Sequence, residues 1–561
     1  MERGKLFIEF KHFIDNKECL LNLWQLKYTI EDFVYIKKRD DLKLPNLSAM
    51  IPNIKTVGEL QKSGYKAKSI KEEVRENLIV KIKAKENPFV GILGYEDTVI
   101  PDTERALLSR HNILFLGLRG QAKTRMARQM VDLLNEYIPI IAGSEVNDDP
   151  LQPLSKYGRD KIAEYGENTP VQWIHRSERY GEKLATPDVS VADLIGDIDP
   201  IKAANLKLSF ADESVIHYGI IPRSNRGIFV INELPDLQAR IQVALFNILQ
   251  EGDIQIRGFK IRMPLDILFV FTANPEDYTN RGSIVTPLKD RIESQILTHY
   301  PKTIEVSLAI TAQEAKILEV QKQKVNVNEL VKRIIEQVAF EARSNEYVDK
   351  KSGVSARLTI AAYENAVSTA ERRALIYNEK QTQVWISDLA GIIPGITGKI
   401  ELVYEGEQEG PYQVAVNLLD KSIRTQFIQY FPNPEQVKKR NTGKKSTETK
   451  EQENPYKAIT RWFDAGNHLD LLIDLPDKDK IAALYRVDGL HAFVKKYFHH
   501  ADEKEHALLM EFVLHGLASY SLISKKVIEG KIEFKDLMGS MMNFNSMNFN
   551  EEDDLEEDDF K

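Results

Sequence analysis

The segment Gly117-Leu118-Arg119-Gly120-Gln121-Ala122-Lys123-Thr124 constrains this chain more than any other. It follows the apolar run Asn112-Ile113-Leu114-Phe115-Leu116 and opens an amphipathic stretch read as a helix over residues 124–137. A glycine-bearing turn between a strand and a helix aims backbone N–H groups and the positive helix end at one point, which is how phosphate is cradled. In the pattern G-x-x-x-x-G-K-[ST] the lysine reaches the β and γ oxygens and the hydroxyl coordinates Mg2+. Ala122 stands where the second glycine is expected. A methyl group there would crowd the phosphate, so a purely structural strand–turn–helix remains open on this segment alone.

Further along, the apolar run Ile228-Phe229-Val230-Ile231 ends in Asn232-Glu233, where nucleotide hydrolases carry an acidic pair. The first residue of such a pair supports the Mg2+ shell and the glutamate polarises the attacking water. Asn232 brings no negative charge, while Glu233 remains available as general base. A third apolar run, residues 268–272, leads into Ala273-Asn274-Pro275. The Asn274 amide is suited to orienting a lytic water, although Asn-Pro is also an ordinary strand terminator. Arg281 and the segment Thr286-Pro287-Leu288-Lys289-Asp290-Arg291 then offer arginines able to cross a subunit interface, against the common case of a solvated surface side chain.

Runs at 112–116, 171–175, 227–231 and 268–272 alternate with amphipathic helices such as 124–137 and 237–250, the pattern of a parallel α/β sheet. The expected organisation is an N-terminal extension at 1–53, an α/β core at 54–305 and a helical domain at 306–380, whose most regular helix covers 357–375. A mixed β/α connector follows at 381–437, with Pro394-Gly395 and a short β excursion at 400–404. A polar flexible linker at 438–455, a helical module at 456–540 and a disordered acidic tail at 541–561 complete the chain.

Cys19 is the single cysteine, which excludes an internal disulfide framework and a thiolate zinc site. No apolar run approaches the roughly 18–20 residues of a membrane span, and the N-terminus lacks the apolar stretch of a secretory signal. A cytoplasmic protein with no membrane contact is expected. The net charge of −8 is concentrated at residues 551–561, which hold eight acidic residues and Lys561, so the remainder is nearly neutral. The case against nucleic acid therefore rests on the absence of a DNA-binding motif and of aromatics interleaved with the basic patch Lys438, Lys439, Arg440, Lys444 and Lys445. The cluster His499, His500, Asp502, Glu503 and His506 reads as a solvated helical face ahead of a metal site, because adjacent histidines point to different faces.

Taken together, these segments resemble an AAA+ ATPase. The stretches Asp193-Leu194-Ile195-Gly196-Asp197-Ile198-Asp199, Gly219-Ile220-Ile221-Pro222-Arg223-Ser224-Asn225-Arg226-Gly227 and Gln242-Val243-Ala244-Leu245-Phe246-Asn247-Ile248-Leu249-Gln250-Glu251-Gly252 narrow the likeness. They are similar to the helix-2 insert and the surroundings of the acidic strand in magnesium-chelatase ATPase subunits and MoxR-type ATPases. Residues 253–264, turning at Gly258, resemble that clade's pre-sensor hairpin, and alanine before the lysine is frequent in MoxR-type loops. The likeness covers about residues 54–375 and implies an AAA+ core with a helix-2 insert followed by a helical lid.

The resemblance also implies roles. Gly117, Gly120, Gln121, Ala122, Lys123 and Thr124 would bind ATP, with Thr124 and Asn232 serving Mg2+. Asn232 and Glu233 would form the Walker B pair, Asn274 sensor 1, Arg291 the trans arginine finger with Arg281 in reserve, and Arg357 sensor 2. It implies ATP hydrolysis in a homo-oligomeric ring, expected to be a hexamer, that remodels a partner in a chaperone-like manner. Such ATPases work with a von Willebrand A-domain protein, and no D-x-S-x-S pattern occurs in this chain to supply one. Two alternatives stay open: the ATPase subunit of a true magnesium chelatase, and a nucleotide-dependent scaffold with little turnover, the latter motivated by Asn232. No G-A-F-T-G-A run occurs, which argues against a transcriptional enhancer-binding ATPase.

Overall fold

A computed structural model describes residues 53–207, 212–255, 262–275, 283–436, 454–528 and 530–537. The expected N-terminal extension up to residue 52, the hairpin turn at Gly258, the reserve arginine Arg281, the linker up to residue 453 and the acidic tail lie outside those residues.

Five parallel strands form the central sheet: β1 (Ile113–Leu116), β2 (Tyr180–Leu184), β3 (Gly227–Asn232), β4 (Ile267–Ala273) and β5 (Ser294–Leu297), in the spatial order β5-β1-β4-β3-β2. Every residue of β3 and β4 is buried, as expected of interior parallel strands covered on both faces. Their side chains alternate between two apolar cores. Ile228, Val230, Leu268 and Val270 join Ile113 and Phe115 on one side, while Phe229, Ile231, Phe269 and Phe271 join Leu114 on the other. The period of two thus fixes the register, since a slip of one residue would exchange the two faces.

The parallel sheet expected from the apolar runs is present, but one of those runs lies elsewhere. Residues Val171–His175 pair antiparallel with Tyr137–Ile141 and bury Ile174 against Ile138 and Ile140 in a small separate core. The fourth neighbour in the parallel sheet is instead Tyr180–Leu184, a polar edge strand whose one open side tolerates charge. The helix expected over 124–137 is also shorter. Helix α1 (Lys123–Gln129) tightens into a 3-10 turn at Met130–Leu133, where the Asn77 amide takes the Leu133 carbonyl and Glu73 accepts the Asn135 N–H, ending the helix.

The insert forms a short antiparallel pair, Gly196–Ile198 with Ile216–Tyr218, with the helix Pro200–Leu206 between them. A hairpin pairs Asp253–Gln255 with Arg262–Pro264 after helix α2 (Ala239–Glu251).

Beyond the sheet the chain is mainly helical, with α3 (Ile304–Glu314), α4 (Glu329–Ser344), α5 (Arg357–Ile376), α6 (Pro411–Tyr430) and α7 (Glu503–Ser519). Among the described residues, one apolar core has members from Val325 to Phe534. The bounds expected at 380 and 456 therefore cut through a single packing unit. Phe427 of α6 lies against Phe431, Tyr456, Phe512 and Tyr520, and Gly516 of α7 admits its ring, since a Cβ there would sit 2.1 Å from Phe427 Cδ2. Pro394-Gly395 lies within a short helix, Ile393–Thr397, and the expected β excursion reduces to an isolated bridge between Val348 and Leu402. The C-terminal part also carries a three-stranded antiparallel sheet, Leu469–Leu472, Lys531–Lys535 and Ser524–Ile528, with Lys531–Lys535 central. Its short alternation in Lys-Ile-Glu-Phe-Lys was masked by the helical context. Among the described residues no helix is long and apolar enough to cross a membrane.

Candidate functional site

The loop of residues 117–124 leaves the C-terminal end of β1, and its shape depends on small residues at fixed positions. A Cβ on Gly117 would meet Thr298 Oγ1 at 2.0 Å, and one on Gly120, at φ +71°, would meet Ser355 Oγ at 2.0 Å. Gln121 is buried, accepts from Thr298 Oγ1 at 2.7 Å through its side chain, and its carbonyl takes the Tyr95 hydroxyl at 3.0 Å. Ala122 adopts φ +57°, the left-handed region that costs a Cβ-bearing residue roughly 1–2 kcal/mol. The conformation of the missing glycine is thus kept, and the alanine bears its strain.

Lys123 begins α1 and turns its ammonium back over the loop, donating to the Gly117 carbonyl, to Leu118 O at 2.9 Å and to Asn274 Oδ1 at 2.7 Å. The end of β1, the loop and the end of β4 are thereby joined at one cation. Thr124 Oγ1 donates to Asn232 Oδ1 at 3.2 Å, and Thr272 Oγ1 donates to the same oxygen at 3.1 Å. Glu233 follows in a left-handed conformation, φ +56° and ψ +49°, with its N–H donating to Thr272 Oγ1 at 3.1 Å. A glutamate held in that region is strained, and such strain is retained where the surroundings hold a side chain to a task. Gly117, Gly120, Gln121, Ala122, Lys123, Thr124, Asn232, Glu233 and Asn274 accordingly gather at the C-terminal ends of β1, β3 and β4.

Of the two described candidate arginines, Arg291 is placed apart from that group, while Arg357 lies beside the loop through Ser355. Arg291 precedes β5 by three residues and so lies at the opposite, N-terminal edge of the sheet. Its guanidinium is held within its own chain, with Nε and Nη2 on Gln250 Oε1 at 3.0 and 2.7 Å, Nη1 on Pro287 O at 2.7 Å, and the Phe246 ring 5.0 Å away. Arg357 opens α5 with an exposed side chain, and its N–H donates to Ser355 Oγ at 3.1 Å. His506, from the histidine cluster, is buried and its Nε2 lies 2.6 Å from the Phe498 carbonyl.

Several contributors were not visible in the sequence. Ser355 packs on Gly120, Tyr300 OH donates to Arg119 O at 2.9 Å, and Arg119 pairs with Glu401 at 2.7 Å, so the helical part meets the loop directly. Arg343 lies over the Tyr300 ring at 4.4 Å and donates to Val354 O; burial pulls its pKa below the ordinary value. Glu182 of β2 accepts from Asn232 Nδ2 at 2.7 Å, from Arg128 at 2.8 and 2.9 Å and from Tyr180 OH at 2.8 Å. Burial would raise its pKa, yet the donors from Arg128, Tyr180 and Asn232 hold it below the usual value. A glutamate in a polar edge strand carries no sequence signal for such a position, whereas the Ser355 contact follows from a tertiary approach that no local pattern encodes.

The chain matches no family model. Over 201 residues, 35% of its length, it is 25% identical to the magnesium-chelatase 38 kDa subunit of Cereibacter sphaeroides, covering 54% of that protein. Over 227 residues, 40% of its length, it is 23% identical to the magnesium-chelatase 38 kDa subunit of Rhodobacter capsulatus, covering 59% of it. The chain therefore spans little more than half the length of these curated relatives. Among solved structures, the complex of subunits BchI and BchD of magnesium chelatase aligns at 19% identity and a TM-score of 0.29, over 57% of this chain and 98% of that one. With a phosphate-type loop on a five-stranded parallel sheet, strand-end polar groups gathered around its lysine and this match in sequence, the chain resembles the AAA+ ATPases of the MoxR/magnesium-chelatase type.

Proposed function

We propose that the protein binds ATP with Mg2+ and hydrolyses it, as a homo-oligomeric ring of six subunits that remodels a partner protein. The reading is carried by one observation, the convergence of Lys123, Thr124, Asn232 and Asn274 through hydrogen bonds of 2.7–3.2 Å. The loop N–H groups and the start of α1 would take the phosphates, with the Lys123 ammonium on the β and γ oxygens. Thr124 Oγ1 and Asn232 Oδ1 are hard oxygen donors of the kind that suits Mg2+, and these two residues would hold it. When bound, Mg2+ supplies charge neutralisation at the phosphate oxygens. Glu233 would take the proton of the attacking water, Asn274 would orient that water, and Arg357 would reach the nucleotide from the helical part. Arg291 would act on a neighbour's nucleotide after leaving Gln250, an assignment supported by its distance from the loop of its own chain.

A von Willebrand A-domain protein is the partner class suggested by the family, and a magnesium-chelatase role is suggested by the names of the relatives. The neutral Asn232 favours a second reading, a nucleotide-dependent scaffold with slow turnover. Phosphate release by the wild type, Lys123→Ala and Glu233→Gln separates these. The ATPase reading expects both variants to fall at least tenfold below the wild type. Equal, background-level rates in all three proteins would sink it, leaving the scaffold.

A further inference from the structure

We propose that Glu182 is the positioning carboxylate of the nucleotide site. It fixes the Asn232 amide so that the amide oxygen faces Thr124, and it carries, one strand away, the negative charge that Asn232 lacks. A carboxylate only accepts hydrogen bonds, so the group 2.7 Å from Glu182 Oε1 must be the Asn232 NH2. The amide oxygen is then directed to the other side, where Thr124 and Thr272 donate to it at 3.2 and 3.1 Å. Glu182 is itself immobilised by the two-point grip of Arg128 at 2.8 and 2.9 Å and by Tyr180 OH at 2.8 Å. Arg128 belongs to α1, the helix that begins with Lys123, so the same helix carries the phosphate loop and the clamp on the carboxylate.

This arrangement gives a reason for asparagine at 232. An aspartate there would set a second carboxylate within hydrogen-bond distance of Glu182, with no donor between them, and the like charges would repel in a place only 7% exposed at Asn232. The acid and the amide have, in effect, exchanged strands. The polar sequence of β2 acquires a purpose on the same ground, because Glu182 is registered opposite Val230 of β3 and its side chain is only 21% exposed.

The inference rests on the reading that this loop binds Mg2+ and nucleotide, and two readouts keep the two apart. Thermal unfolding without nucleotide judges the Glu182–Asn232 pair; binding of a fluorescent ATP analogue, with and without MgCl2, judges its effect on the site. Asn232→Asp should lower the unfolding temperature and weaken the Mg2+-dependent part of binding about tenfold. The exchange Glu182→Gln with Asn232→Asp should restore both, since one carboxylate and one amide again face each other. Glu182→Ala should weaken binding with MgCl2 by a larger factor than binding without it. An Asn232→Asp protein as stable and as tight as the wild type, or an exchange variant no better than Asn232→Asp alone, would overturn the proposal. Failure of the wild type to bind the analogue would overturn the nucleotide reading, and the melting data would still decide the pair.

Discussion

Asp266 shows how strongly single residues are tuned in the core that supports the site. It immediately precedes β4 and accepts the Ile70 N–H at 2.7 Å. Burial lifts its pKa from 3.8 to about 6, against the opposing pull of that N–H and of Arg226 and Arg179. The folded state therefore holds this proton more tightly than the unfolded chain does. Its contribution to stability is greatest below the unfolded pKa and declines as pH rises through the window from about 4 to about 6. Asn at 266 keeps the acceptor for Ile70 without the charge. Asp266→Asn should therefore stabilise the protein by about 1–3 kcal/mol at pH 7–8 and by little at pH 4, read by urea unfolding at both pH values. A variant less stable than the wild type at pH 8 would show that the charge is needed.

At the scale of elements, the order of legibility follows how local the determinants are. The loop, β1, β3, β4 and α2 could be read because glycine spacing, continuous apolar runs and helical periodicity are all written within a few residues. Val171–His175 misled because an apolar run is equally suited to a buried parallel strand and to an antiparallel pair, and only partner choice separates them. Tyr180–Leu184 was invisible because an edge strand needs no apolar pattern. Lys123, Asn232, Glu233 and Asn274 were legible as strand-end and loop residues; Glu182 and Ser355 depend on which strand or helix arrives beside them. The same holds for the ionic knot that joins α5 to the C-terminal module. Arg373 is fully buried, bonded to Asp388 at 3.0 Å and Asp477 at 2.6 Å, and the Trp385 indole N–H donates to Asp477 at 2.8 Å. Arg373→Ala leaves the buried Asp388 without its ion-pair partner and Asp477 with Lys504 alone, at 3.2 Å, and should cost about 3–5 kcal/mol in thermal or urea unfolding of the helical half. A loss below about 1 kcal/mol would show that α5 and the module are not held as one unit.

Across the whole molecule, the loop of residues 117–124 and the helical half share a boundary. Arg119 reaches Glu401, Ser355 packs on Gly120, Arg125 pairs with Glu314 of α3, and Gln313 Nε2 donates to Gly91 O at 2.9 Å. Among the described residues, α4 to α7 and the small C-terminal sheet contribute to one apolar core with members from Val325 to Phe534, and α3 lies between that core and the loop. The proposed function begins with the loop taking up nucleotide. Calorimetric titration of ATP with MgCl2 into the wild type and Lys123→Ala tests this most directly. The wild type should bind, and Lys123→Ala should bind at least tenfold more weakly; equal affinity in the two proteins, or no binding to the wild type, would contradict the account.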